Sequence, residues 1–593
     1  MRMLMSKSNT LIRVCTAVFV ALTIVSVPSS ASADVIPRKI LTGWLPYYSM
    51  KTSLPSVVSN ADLIREVMPF WYTLKFNGKT NGVVATDLYS PANPSIPISQ
   101  PLSAIRNAGI SIIPTITDGT TKMVLSNLLA KTASRTQVVK TIVDLVVSQN
   151  YEGIDLDFEG FAFVDGNTSW TTTQPRWVAF IKELSVALHA QKKILSISTP
   201  YLFNPAEKQK GYFVYAWNLI AQDIDRLRIM TYDYSVAKPG PIGPLAWAEK
   251  TVQYAISVMP PSKVYIGLAG YGRDWVTSVA GVCPASVSAV VKAGAKAATF
   301  VMRDAATLAQ SYGATPVYDE VLSEVTFNYQ KVYNGQTSAG LATTCTASRT
   351  AWYQDARSYA SRSALVSKYR LGGVTAWTLG MEDVMASQSI RQAALAIAPD
   401  EVSSTLRISN ATLKYGEATT VDAQFLLPDK VPVQGLIVHL ETQGINESTW
   451  REIYVTTTLM DGTISVPLIL AKGGSIRARS DGTWERSESI SPAIQISVLR
   501  KIAISPPSSA PHDSNFTISG VISPHESGAP VYLEKWKAGS WVAQGTPLTT
   551  DGDGKFLFTT SEKVRGFVKY RVSLPTSEVM AGVQSEPFTV VIR

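Results

Sequence analysis

The chain has 593 residues, 46% hydrophobic and 17% charged, with a formal charge of +9. The positive charge is spread out, and no basic cluster interleaved with aromatics stands out, so nucleic acid is not an expected partner. Four scattered histidines (His189, His439, His512, His525) and three cysteines give poor support to histidine-ligated metal sites or to Ser-His-Asp and Cys-His catalysis, and no GxxxxGK[ST] phosphate loop is present. No metal and no cofactor are expected.

The chain opens with Arg2, Lys7 and Arg13, an apolar run over 14–27 and the A-x-A triplet Ala31-Ser32-Ala33. This pattern predicts a secretory signal peptide over 1–33, with the mature chain starting at Asp34 and exported. The run is short for a membrane span. Cys15 leaves with the signal. Cys283 and Cys345 are then an even pair in an oxidising compartment and are expected to form a disulfide.

From about residue 36 to 397, apolar runs alternate with amphipathic stretches. Candidate strands cover 40–47, 66–73, 111–117, 153–159, 194–200, 227–232, 264–269 and 373–377, with helix-like segments between them, for example 136–149, 175–191 and 356–368. Eight such alternations predict a (β/α)8 TIM barrel over 34–398, with chemistry at the C-terminal ends of its strands. Residues 275–350 interrupt the alternation and hold both remaining cysteines. They read as a small inserted α+β subdomain, with mixed signals at 287–298, 305–312 and 325–329.

After Asp400 the helix signals vanish, and short alternating strands with Gly, Pro and Asp-Gly turns run to Arg593. The tail looks duplicated: Ile408-Ser409 recurs as Ile504-Ser505, Trp450 as Trp541, and Asp461-Gly462 as Asp553-Gly554. Two all-β sandwich modules are predicted, 403–499 and 500–593. Trp450, Trp484, Trp536 and Trp541 are either exposed polysaccharide or wall contacts or core residues of spacer modules.

Residues 151–160 read YEGIDLDFEG and are the most informative stretch. Asp155, Asp157 and Glu159 fall at i, i+2 and i+4 after a strand-like lead-in, so along a strand they share one face. Ile154, Leu156 and Phe158 point the other way into packing. Neighbouring carboxylates cannot all ionise easily, so at least one proton is held. A held proton beside a carboxylate suits glycosidic-bond cleavage. A solvated strand face and a site for a hard cation are the alternatives; a calcium loop would carry more Gly and Asn and would not lie along a strand.

With the other strand ends, this row resembles glycoside hydrolase family 18, whose fourth-strand signature is D-G-x-D-x-D-x-E. Here it reads Glu152-Gly153-Ile154-Asp155-Leu156-Asp157-Phe158-Glu159. Met230-Thr231-Tyr232-Asp233 is similar to the family's M-x-Y-D, and Gly372-Gly373-Val374-Thr375-Ala376-Trp377 to its eighth strand ending in tryptophan. The resemblance covers about 40–396. Pro69-Phe70-Trp71-Tyr72 and the stretch from Ile266 to Trp275 resemble the branch of spore-cortex-lytic N-acetylglucosaminidases. The first signature acid is Glu152 instead of Asp, the third strand lacks S-x-G-G, and Phe158 stands where chitinases commonly carry tryptophan. The last two changes fit the peptidoglycan branch better than a chitinase.

The resemblance implies a retaining glycosidase in which the substrate's own 2-acetamido oxygen attacks the anomeric carbon. It implies Glu159 as general acid and then base, Asp157 as the group that holds the acetamido N–H, and Asp155 as the partner sharing a proton with Asp157. It implies Tyr232 as donor to the acetamido carbonyl, Asp233 and Met230 beside the same sugar, and Trp377 as its floor. Tyr47, Trp71 and Tyr201, with Tyr271 and Trp275, are candidates for further subsites, with core packing equally open for each. The expected activity is cleavage of β-1,4 linkages in a GlcNAc-containing polysaccharide, peptidoglycan first. Chitin cleavage, endo-β-N-acetylglucosaminidase action on glycoproteins, and a non-catalytic wall- or sugar-binding protein are the alternatives. A monomer is expected, secreted and extracellular, with wall association through the tail modules as one option.

Overall fold

The computed structural model describes residues 37–593 apart from Ala398 and Asp429. The expected signal peptide and Cys15 lie outside the described residues.

Eight parallel strands form the central element: β1 (Leu41–Pro46), β2 (Ile64–Asn77), β3 (Thr115–Asp118), β4 (Gly153–Asp157), β5 (Ile194–Pro200), β6 (Arg226–Met230), β7 (Val264–Ala269) and β8 (Gly373–Trp377). Each strand pairs in parallel with the next, and β8 pairs with β1 (Leu41 opposite Val374), which closes the barrel. Strands β1, β4 and β7 are buried along their whole length, which explains their near-continuous apolar runs. The third strand is in two pieces, because Pro114 has no N–H for the ladder, and the segment Ser111–Ile112 precedes the break. Gly153 is required where β4 starts: a Cβ there would lie 2.3 Å from the Ile194 carbonyl oxygen.

Helices follow the strands in turn, among them Met50–Ser59, Thr132–Ser148, Trp170–Ala190, Leu245–Val258, Ala356–Tyr369 and Val384–Ala396. Leu156 and Phe158 face this outer layer. Phe158 packs among Phe161, Trp177 and Phe180 with ring centroids 6.1 to 6.3 Å away.

The insertion is a five-stranded antiparallel sheet ordered Ala298–Val301, Tyr271–Gly281, Ala342–Tyr353, Glu324–Gln336 and Val317–Asp319, with the helix Ala305–Ser311. It begins two residues after β7 and runs to Tyr353, wider than the expected 275–350. The segment 287–298 is a series of turns, with extended backbone only from Ala298. Cys283 and Cys345 are joined, their Cα atoms 4.7 Å apart.

The tail repeats one pattern twice. Strands Ser403–Ile408, Ala418–Leu426 and Thr463–Ile469 form one sheet, which faces a second containing Ile494–Leu499, Gly474–Ser480, Ile437–Gly444 and Arg451–Thr457. The same order returns in Lys501–Ser505, Asn515–Ser523 and Lys555–Ser561, facing Phe588–Ile592, Gly566–Leu574, Pro530–Lys537 and Ser540–Ala543. Each pair of sheets has its own apolar core. Met580 of the second module is 1% exposed in the core of the first. The first module meets the barrel through Arg38–Asp400 (3.5 Å) and Arg65–Glu485 (3.4 Å), with Arg65 over Trp484. Arg38 precedes β1 and Arg65 opens β2, so this contact lies at the end of the barrel opposite the acidic row. None of the four tail tryptophans is a core residue: Trp536 is 44% exposed, and Arg477, Arg65 and Arg571 cover Trp450, Trp484 and Trp541.

Candidate active site

Strand β4 ends at Asp157, not at Glu159. Glu159 adopts helical backbone angles (φ −69°, ψ −13°) and opens the short helix Gly160–Phe163. The three acids therefore do not form one flat row. Asp155 and Asp157 project from the strand into the barrel, and Glu159 sits on the turn above its rim. Gly160 permits the turn, since a Cβ there would lie 2.7 Å from Asp118 Oδ2.

Asp155 is fully buried and takes five hydrogen bonds: from Trp44 Nε1 (3.4 Å), Thr115 Oγ1 (2.9 Å), Ser196 Oγ (2.5 Å) and Ser198 Oγ (3.0 and 2.9 Å). Asp157 is 7% exposed and its Oδ1 has no protein partner. Burial first, then the charges of Glu159 and Asp155, push its carboxyl well above the usual value. Burial, then Asp233, raises Glu159 from 4.5 to about 7. A carboxylic acid that keeps its proton near neutrality can donate it to a leaving oxygen.

These acids open into a cleft of about 420 Å³ lined by Trp44, Tyr48, Asp157, Glu159, Met230, Tyr232, Asp233, Tyr271, Arg273, Phe300 and Trp377. Trp377 ends β8 and packs against Phe70 (5.1 Å) and Trp44 (5.7 Å), which fixes its plane. Tyr232 lies two residues past β6. Burial first, then Tyr271, Asp157, Glu159 and Asp233, raise its hydroxyl's pKa well above the ordinary value, which keeps it a donor. Asp233 has a left-handed backbone (φ +60°) that turns its carboxylate toward the insertion. There it accepts from the Tyr271 hydroxyl and from Arg273 Nε (3.1 Å) and Nη2 (2.5 Å). On the other side of Glu159 a recess of about 300 Å³ is walled by Phe163, Tyr201, Tyr212 and Tyr232.

The expected site residues separate cleanly. Asp157, Glu159, Met230, Tyr232, Asp233 and Trp377 meet in the cleft, Tyr201 lines the recess, and Asp155 lies beneath. Trp71 does not reach the cleft. It is fully buried on the outer side of β2 against Tyr89 (4.5 Å), while its neighbour Phe70 faces Trp377. Tyr47 packs beside the core, and it is Tyr48, 60% exposed, that lines the cleft. Trp275 is buried and donates to the Val236 carbonyl (3.0 Å). Glu152 precedes β4 and accepts from the Ile112 N–H (2.8 Å) at the far end of the barrel. Trp44, Tyr48, Arg273 and Phe300 were not singled out from the sequence. Arg273 lies in the Gly270–Trp275 phrase, and a charged residue between glycines and aromatics was the available signal.

A closed barrel with a glutamic acid whose carboxyl burial holds above its usual range, a buried aspartic acid and a tyrosine hydroxyl facing an aromatic-floored cleft defines a glycosidase. The model of the glycosyl hydrolases family 18 matches residues 67–382, more than half of the chain. The chain belongs to that family. A sporulation-specific glycosylase of Bacillus subtilis is 24% identical over 336 residues, covering 54% of this chain and 70% of that protein. The cortical fragment-lytic enzyme of Bacillus cereus is 24% identical over 343 residues, covering 56% of this chain and 70% of its own. The crystal structure of a chitinase from Chromobacterium violaceum superposes with a TM-score of 0.48 at 23% identity, over 61% of this chain and all of that one.

Proposed function

We propose that this protein is a secreted β-N-acetylglucosaminidase that cleaves β-1,4 bonds in peptidoglycan with retention of configuration. The observation that carries the reading is the meeting of Asp157, Glu159 and Tyr232 over Trp377 in one open cleft. The sugar to be cleaved lies on the Trp377 face, its C–H groups against the ring. Glu159 gives its proton to the glycosidic oxygen, and the C1–O bond breaks. The acetamido oxygen of the same sugar closes on C1, held in line by the Tyr232 hydroxyl. Asp157, whose Oδ1 is free of protein partners, accepts the acetamido N–H and offsets the positive charge of the oxazolinium ring. Glu159, now a carboxylate, takes a proton from water, which opens the ring and restores the acetamido group with the original configuration.

Three features favour peptidoglycan and an extracellular site. The named relatives include cortical fragment-lytic enzymes. The buried Phe158 and the absent S-x-G-G depart from the chitinase pattern. The disulfide and the N-terminal A-x-A signal fit export. The test is digestion of purified peptidoglycan and chitin side by side, with new reducing ends identified by mass spectrometry. Reducing-end release from peptidoglycan at a clearly higher rate is expected. Preference for chitin transfers the protein to the chitinase reading, and release from neither, with the sugar still bound, makes it a binding protein.

A further inference from the structure

Glu159 and Tyr232 line both the cleft over Trp377 and the recess of about 300 Å³ beside it. The cleft takes the sugar whose bond breaks, and Glu159 protonates the bridging oxygen, so the recess receives the sugar that leaves. In a peptidoglycan strand cut after N-acetylglucosamine, that sugar is N-acetylmuramic acid, which carries a lactyl ether on O3. The lactyl carboxyl is either free and negative or tied to the stem peptide as a neutral amide.

Three segments wall the recess. Phe163 stands one turn after Glu159, is 56% exposed and meets the Tyr212 ring at 5.2 Å. Tyr201 follows β5 directly, and the chain returns to it at Tyr212, whose N–H donates to the Tyr201 carbonyl (3.1 Å) with the rings 5.3 Å apart. Val236 lies in the loop after β6, where its carbonyl accepts from Trp275 Nε1 (3.0 Å) and its side chain stays largely exposed. Among the described residues lining the recess there is no lysine, arginine or histidine, and the charged groups are Glu159 and Asp233. Arg273 is spent on Asp233 Oδ1 from the cleft side. Lys250 sits over the Phe203 ring at 4.6 Å and is paired with Glu207 (2.6 Å). Asp233 Oδ2 and the Tyr201 and Tyr212 hydroxyls have no hydrogen-bond partner among the described residues.

We propose that this recess seats the 3-O-lactyl group of the leaving N-acetylmuramic acid and selects it as a neutral amide, the peptide-bearing form, over the free acid. This deepens the peptidoglycan reading above and rests on it. An amide matches the free groups: its N–H has an acceptor in Asp233 Oδ2, its carbonyl has donors in the two tyrosine hydroxyls, and the lactyl methyl has aromatic and aliphatic walls. A lactyl carboxylate has no N–H to give and brings a negative charge to a wall that holds two acids and no cation. It also opposes the loss of the Glu159 proton at the moment the leaving oxygen takes it.

Three soluble substrates built on one glycan backbone test the proposal with the full-length protein. The first carries its stem peptides. The second is the same strand after a muramoyl-L-alanine amidase has freed the lactyl carboxyls. The third is the second with those carboxyls capped as methylamides. The first and third should be cut with similar kcat/KM, and the second with kcat/KM about 10- to 100-fold lower, the worth of an unmet hydrogen bond and a like charge. Equal values on all three overturn the proposal and leave the peptidoglycan reading standing. A methylamide strand as poor as the free acid also overturns it, because the protein then reads the peptide and not the charge. Cutting of none of the three removes both. Val236→Lys, which adds a cation at the exposed rim, should raise kcat/KM on the free-acid strand by about fivefold relative to the capped one, the worth of a rim ion pair. An unchanged ratio in that variant places the lactyl group outside the recess and refutes the assignment.

Discussion

Replacing Glu159 with glutamine removes the acid and also the cost of its charge, and the two effects run in opposite directions. The folded protein raises this carboxyl from 4.5 to about 7, chiefly by burial. At about 1.4 kcal/mol per pH unit, that displacement corresponds to roughly 3 kcal/mol of folding free energy at alkaline pH. Glu159 faces the cleft and is not sealed from water, so about 1 to 2 kcal/mol is the better expectation. The sign follows from the raised value. The wild type has its full stability below pH 4.5 and loses this contribution as pH rises toward and through 7. Glutamine is neutral at every pH and loses nothing. Glu159→Gln should therefore melt higher than wild type at pH 8 and close to wild type at pH 4.5. Turnover should fall by about 10²- to 10⁴-fold, since the proton donor is gone. Thermal unfolding at the two pH values and a reducing-end assay read both effects. A variant less stable than wild type at pH 8 would show that Glu159 is favourably ionised, and near-normal turnover would remove it from catalysis.

Other substitutions test separate parts of the structure. Tyr232→Phe should lower kcat by about 10- to 100-fold, the worth of a hydrogen bond to a developing charge, with unfolding unchanged. Glu324 accepts from Ile242 N (2.6 Å), Gly243 N (2.8 Å) and the buried Arg362 (2.9 Å), and so ties the insertion to the loop that follows Asp233. Glu324→Gln leaves Arg362 buried without its counter-ion and should cost about 3 kcal/mol or more in urea unfolding. Met580→Ala should cost about 2 kcal/mol or more and separate the melting of the two tail modules, because it empties a site in the first module's core.

The barrel was legible because its strands are short apolar runs buried on both faces. The segments 194–200, 264–269 and 373–377 have their expected bounds. The acids were legible in identity but not in arrangement. Alternation carried the strand through Glu159, whereas the chain turns at Phe158, which is drawn outward into the Phe161, Trp177 and Phe180 cluster. Side-chain direction was the weakest part. Trp71 and Phe70 are equally aromatic neighbours, and a register shift in the pairing of β2 with β3 between Phe70 and Tyr72 accompanies the change of face. The insertion's first strand was cut short because Tyr271–Trp275 looked like a continuation of the barrel motif.

The anomer formed first decides the mechanism most directly. Proton NMR of the earliest products from a soluble peptidoglycan or GlcNAc oligomer should show the β-anomer, with the α-anomer growing only by mutarotation. If the α-anomer comes first, water attacks the sugar directly and the acetamido group has no part in the displacement.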